Sequence, residues 1–166
     1  MNSLDIEIAV AQHIGHRQHL IVPNVWWGLG FQHELDLAVL TKSGRLWEVE
    51  IKVSKSDLKA DKKKYCAHMD PQNRISRLYF AVPEKLENCI DLIPKTAGFL
   101  VVLERQYKAV YQNDKSGTRI HVEERRKPKI IKSARKLSDA EIQKLYHLGA
   151  MRIWNLKKKL QKARQT

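Results

Sequence analysis

The chain has 166 residues, two cysteines and a formal net charge of +13. That length suits one domain that buries roughly 70% of its unfolded surface around a single core, and Cys66 and Cys89 alone exclude a disulfide framework or a paired-cysteine zinc module. The longest purely apolar run, Phe99 to Leu103, is too short for a membrane span, and Asp5 and Glu7 stand where an export signal carries basic residues, so a cytoplasmic, reducing location without membrane insertion is expected.

In chain order, Leu4 to Ile14 predicts a first helix, with Ser3 as N-cap and Gly15 as stop. His19 to Trp27 and Glu34 to Leu40 read as strands separated by Gly28 and Gly30. Thr41-Lys-Ser-Gly-Arg45 is a turn signal, and Leu46 to Val53 alternates apolar and charged residues as a strand does. Ser54 and Asp57 form a capping-box pattern opening a helix through about Met69, which a loop containing Pro71 and Asn73 ends. Arg77 to Val82 and Gly98 to Leu103 read as buried strands joined by a helical connector that starts at Pro83, which implies a parallel crossover and an α/β sheet. Tyr107 to Gln112 and Thr118 to Glu123 suggest a peripheral hairpin. A capping box at Ser138-Asp-Ala-Glu141 starts a last helix, in which Leu145, Leu148, Met151 and Trp154 are expected to pack on the core.

The charge is unevenly distributed. Residues 1–124 carry 17 Lys or Arg against 16 Asp or Glu, whereas from Arg125 onward there are 14 basic residues and two acids. The expected organisation is therefore a core over 1–124, a basic linker over 125–137 and a basic C-terminal helix over 138–166 docked on the same domain. Such asymmetry points to a polyanionic partner, because each neutralised phosphate releases condensed counterions. Nucleic acid is the expected partner. The oligomeric state is left open, a homodimer included.

The hairpin turn fixes a register. With Lys42, Ser43 and Gly44 as a three-residue loop, Thr41 faces Arg45, Leu40 faces Leu46, Ala38 faces Glu48, and Asp36 faces Glu50. Directly opposed β-carbons lie about 4.5–5.5 Å apart, and two carboxylates at that separation repel unless a proton or cation lies between them. Oxygen ligands of this kind favour Mg²⁺ or Mn²⁺, which keeps waters for a substrate phosphate. Lys52 follows two residues after Glu50 on the same face, within reach of a phosphate or an attacking water. The plain alternative is that Glu48, Glu50 and Lys52 form the solvated face of a half-exposed strand. Against it, Asp36 shares its face with Ala38 and Leu40. Glu7 sits on the packing side of the first helix, with a buried stem and a solvated head as its alternative.

Asp36, thirteen intervening residues and then Glu50-Ile51-Lys52, set between a leading and a following helix, resemble the PD-(D/E)XK nuclease superfamily. Leu35 replaces the proline of the name. A closer similarity runs through Val49-Glu-Ile-Lys52, Ser56-Asp-Leu-Lys-Ala-Asp61, Arg77-Leu-Tyr-Phe-Ala-Val-Pro83 and Ala97-Gly-Phe-Leu-Val-Val102 to the MmcB-type branch, a group associated with DNA repair, over roughly residues 1–136. The stretch around Asp70 to Ile75 and the long last helix fit that branch less clearly.

The resemblance implies a restriction-endonuclease-like αβββαβ core with a mixed sheet flanked by helices. It implies metal ligation by Asp36, Glu50 and the Ile51 carbonyl, assistance to the nucleophile by Lys52, and a first-helix acid at Glu7. It makes Asp57, Asp61 and Tyr65 supporting residues, whose plain reading is helix capping and packing; Glu34 is placed beside the site. Lys55, Lys59, Lys62 and Lys63, with Arg125, Arg126, Lys127, Lys129, Lys132, Arg135 and Lys136, are the expected nucleic-acid contacts. Trp26, Trp27 and Phe31 read as core packing rather than base stacking, and of the seven histidines only His33 stands near the site. The expected function is Mg²⁺- or Mn²⁺-dependent hydrolysis of DNA; an inactive binding module of the same fold and an RNA-directed nuclease are the alternatives.

Overall fold

A computed structural model describes residues 1–26, 28–63, 70–107 and 117–165, with side chains over 61–63 excepted. Its elements run α1 (Ser3–Ile14), β1 (Leu20–Val25), β2 (Leu35–Leu40), β3 (Leu46–Ile51), α2 (Lys55–Lys63), β4 (Ile75–Pro83), a 3-10 helix (Glu84–Leu92), β5 (Gly98–Tyr107), β6 (Gly117–Arg126) and α3 (Asp139–Ala163). Through β4 this is the expected αβββαβ order. The strands form one mixed sheet in sequence order. β1, β2 and β3 are antiparallel neighbours, β3, β4 and β5 run parallel, and β6 returns antiparallel to β5.

Local chemistry accounts for the element boundaries. Asn2, not Ser3, caps α1: its side chain accepts from the Asp5 N–H while the Asp5 carboxylate accepts from the Asn2 N–H. Gly15 ends the helix in the left-handed conformation that glycine adopts without strain. Pro23 lacks a ladder donor and lies on β1, an edge strand of the sheet. The β2–β3 turn closes as expected, with the Thr41 N–H donating to Arg45 O and the Gly44 N–H to Thr41 O at 2.9 Å each, and Gly44 at φ 78°. The register follows: Leu40 faces Leu46 and Ala38 faces Glu48.

The alternation of β2, β3 and β4 sorts their side chains onto two covered faces. Leu37, Val39, Val49, Tyr79 and Ala81 meet Ile6, Ala9 and Val10 of α1. On the opposite face, Ala38, Leu40 and Leu46 meet Leu145 and Leu148 of α3, while Phe80 and Val82 meet Leu58 of α2 and Leu86. Burying both faces makes a charge on any central strand costly unless it is matched.

Four further expectations change. β5 and β6 are long strands that continue the main sheet, not a separate peripheral hairpin; Arg125 and Arg126 belong to β6. The segment after β6 is hydrogen-bonded to the domain along its length, from Lys129, Ile131, Arg135 and Leu137 N–H groups to Thr96, Ser76, Asn73 and Gly44 carbonyls. Helix α3 starts at the Ser138–Glu141 capping box as expected, but only Leu145 and Leu148 are buried. Met151, Ile153, Trp154 and Leu160 are exposed, because α3 runs beyond its contact with β1. Phe31 is buried as expected, whereas Trp26 is 63% exposed. Trp27 lies outside the described residues, as do 108–116 and the residues after Lys63 up to Met69.

Candidate active site

The β2–β3 pairing runs down to Leu37 opposite Val49, and the register points onward to Asp36 and Glu50. There Oδ2 of Asp36 accepts from the Ile51 backbone N–H at 2.7 Å, so a side chain on β2 is tied to the main chain of β3. Along β3, Trp47, Val49 and Ile51 pack on the α1 side. Glu48 and Glu50 therefore turn to the opposite face, where they are 0% and 3% exposed. The solvated-strand alternative does not hold for these two residues. Lys52 donates from Nζ to Oε2 of Glu50 at 2.6 Å. Oε1 of Glu50 is buried and has no hydrogen bond among the described residues.

The electrostatics follow from that crowding. Burial pushes the Glu50 carboxyl up to about 7; Asp36 and Glu48 add to the rise, and Lys52 opposes it. Glu7, half-buried on α1, is also raised, first by burial and then by the Asp36 charge. Asp36 is thus the charge common to Glu7 and Glu50, and the structure brings four of the expected site residues, Glu7, Asp36, Glu50 and Lys52, into one electrostatic unit.

Two further members stand outside the expected ligand set. Oε1 of Glu48 meets Nε2 of His33 at 2.5 Å, and His33, Glu48 and Glu50 offer ligand atoms within 4.8 Å of one another. The signal for Glu48 was available in the register: a residue facing Ala38 shares the covered face of Asp36 and Glu50. His33 sits in the loop before β2, where no periodicity announces its direction. The donor chemistry fits a divalent cation. Carboxylates, an imidazole and an orphaned buried oxygen converge where the fold supplies Lys52 as a charged cationic partner to Glu50.

Other expected residues fall elsewhere. Glu34 is exposed, just before β2. Asp57 is exposed, and its N–H donates to Ser54 Oγ at 3.2 Å, a helix-start role. Asp61, Lys62 and Lys63 lie at the end of α2, where the backbone alone is described, and Tyr65 lies outside the described residues. Lys55 and Lys59 are exposed on α2, and Lys127, Lys129, Lys132 and Lys136 are exposed on the segment after β6. The arginines there are engaged by the protein itself: Arg125 with Glu87 at 2.6 Å and with Glu123, Arg126 with the Ala97 and Pro94 carbonyls, and Arg135 with Glu141 at 2.8 Å. A cavity of about 770 Å³ beside Ile75, Leu78, Thr96 and Ile131 has no described lining residue in common with the acidic cluster.

Comparison with protein families matches residues 2–159 to the MmcB-like model, described as DNA repair protein MmcB-like. The chain belongs to the MmcB-like family. A solved structure of a protein of unknown function from Silicibacter pomeroyi is similar in fold, with a TM-score of 0.60 at 19% identity over 100% of this chain and 96% of that one. No curated protein matches. The match covers α3 nearly to its end as well as the sheet. The chain's six-stranded mixed sheet flanked by helices is compatible with the PD-(D/E)XK superfamily. No helix among the described residues is long and apolar enough to cross a membrane.

Proposed function

We propose that the chain is a metal-dependent nuclease that hydrolyses DNA phosphodiester bonds in repair or processing. The observation that carries this reading is the buried Glu50 carboxylate: one oxygen is held by Lys52, the other is unbonded among the described residues, and the Asp36 charge lies beside it. A buried carboxylate that keeps one oxygen without a hydrogen bond costs folding energy, so its presence on a central strand favours a ligand that offsets it. Asp36, Glu50 and the Ile51 carbonyl would hold Mg²⁺ or Mn²⁺. When bound, that cation neutralises phosphate charge and lowers the pKa of a coordinated water. The Asp36–Ile51 hydrogen bond fixes the carbonyl-bearing segment of β3 against β2, and Lys52, anchored on Glu50, is poised to orient the attacking water or the scissile phosphate. Glu7 supplies a further acid close to Asp36. The exposed lysines at 127, 129, 132 and 136 suit backbone phosphates.

Incubation of the full chain with labelled single-stranded, duplex and branched DNA and with RNA, in Mg²⁺, in Mn²⁺ and in chelator, tests the reading. Cleavage of at least one DNA in Mg²⁺ or Mn²⁺ and none in chelator is expected. Cleavage of RNA alone would move the substrate class, and binding without cleavage of any substrate would make the chain a binding module.

A further inference from the structure

The residues expected from the resemblance do not include His33 or Glu48 as ligands, yet these two complete the cluster that surrounds Glu50. Glu48 is 0% exposed and Glu50 3% exposed, and both project from β3 to the face away from α1. His33 approaches from the loop before β2 and places Nε2 2.5 Å from Oε1 of Glu48. One ligand atom from each of the three lies within 4.8 Å of the other two. Oε1 of Glu50, buried and without a hydrogen bond among the described residues, is an oxygen that the fold has withdrawn from water without replacing it.

We propose that His33, Glu48 and Glu50 form a second cation site that shares Glu50 with the Asp36 site and takes a first-row divalent ion of the Mn²⁺ to Zn²⁺ series in preference to Mg²⁺. The preference follows from the donors. Mg²⁺ favours an all-oxygen octahedral shell and sheds water reluctantly, whereas an imidazole nitrogen beside two carboxylates suits the later, softer ions. Burial strengthens the preference, because a deep site leaves little room for the waters that Mg²⁺ retains. The proposal rests on the reading of Glu50 as a cation ligand, and it adds a nitrogen ligand and a buried carboxylate that the nuclease reading does not require.

The test is a titration of the full chain with Mn²⁺, followed by electron paramagnetic resonance in the presence of excess Mg²⁺. Wild type is expected to retain one Mn²⁺ that Mg²⁺ does not displace. Glu48→Gln is isosteric and keeps a hydrogen-bonding partner for His33, and His33→Gln keeps the polar character of its position. Each is expected to weaken the retained Mn²⁺ by at least about a hundredfold, the upper end of what a metal site suffers when a residue that only orients a ligand is removed. Asp36→Asn is expected to keep that ion. Retention of Mn²⁺ in both the His33 and Glu48 variants, or its loss in Asp36→Asn alone, would overturn the proposal while leaving the nuclease reading intact. Loss of Mn²⁺ in the His33 and Glu48 variants of a protein that cleaves no nucleic acid would uphold this site and remove the nuclease reading.

Discussion

Among the described residues, two groups of charged side chains are buried, and they differ in how their charges are met. Around Arg74, 0% exposed, every charge is answered. Its guanidinium donates to both Asp70 oxygens at 2.8 Å, to the Leu29 carbonyl and to Glu141 at 3.3 Å, and lies 4.1 Å from the centre of the Phe31 ring. Burial works to raise the Asp70 carboxyl, but the Arg74 hydrogen bonds hold it below the ordinary range, and hydrogen bonds from Arg135 take Glu141 down to about 2. Around Glu50, burial and the neighbouring Asp36 and Glu48 charges outweigh Lys52, and the carboxyl rises to about 7. The difference is one of compensation: hydrogen-bonded ion pairs tie the residues before β4 to the start of α3, whereas Glu50 keeps one buried oxygen without a hydrogen bond among the described residues.

Removing one member of each group should therefore give opposite results. Arg74→Ala leaves Asp70 and Glu141 without their buried partner and is expected to cost about 3–5 kcal/mol in urea unfolding, with α3 loosened. A cost under about 1 kcal/mol would mean that the network is ornamental. Glu50→Gln, measured without metal, should behave in the reverse sense. A carboxyl whose folded pKa lies above its unfolded value of 4.5 favours folding when protonated; stability is lost as pH rises from 4.5 to about 7 and the cost is fully present above that. The variant should be level with wild type near pH 4 and more stable by about 3 kcal/mol at pH 8. A pH-independent difference would deny that Glu50 is held against its charge.

A smaller effect is expected on the distal half of α3, which belongs to neither group. Replacing Lys157, Lys158, Lys159 and Lys162 by Glu touches no buried side chain. If this helix follows a nucleic-acid backbone, the log–log salt dependence of binding should flatten by about 0.9 for each phosphate no longer neutralised on duplex DNA, with melting unchanged. An unaltered slope in a folded variant would show that the terminal helix does not contact nucleic acid.

The same contrast shows what the amino-acid sequence made legible. A glycine at the turn and strict alternation fixed the β2–β3 register, and with it the approach of Asp36 to Glu50, because period and turn type are local properties. The matched network was not legible: Asp70 and Arg74 stand four residues apart in a loop, and Glu141 reaches them from 67 residues away through tertiary packing. The pairing of His33 with Glu48 escaped for the same reason. The distal α3 residues misled, since helical spacing marks an apolar stripe without saying whether anything covers it. For Arg126 and Arg135, charge alone suggested phosphate, while the carbonyls of Ala97 and Pro94 and the Glu141 carboxylate are what they meet.

The most direct test of the central claim is Asp36→Asn, which removes a charge while keeping size and the capacity to accept from the Ile51 N–H. Single-turnover cleavage of saturating DNA in Mg²⁺ should fall by at least about a thousandfold, the scale of several kcal/mol of metal-borne charge stabilisation, while melting temperature and DNA affinity stay near wild type. Full cleavage by this variant would contradict the account.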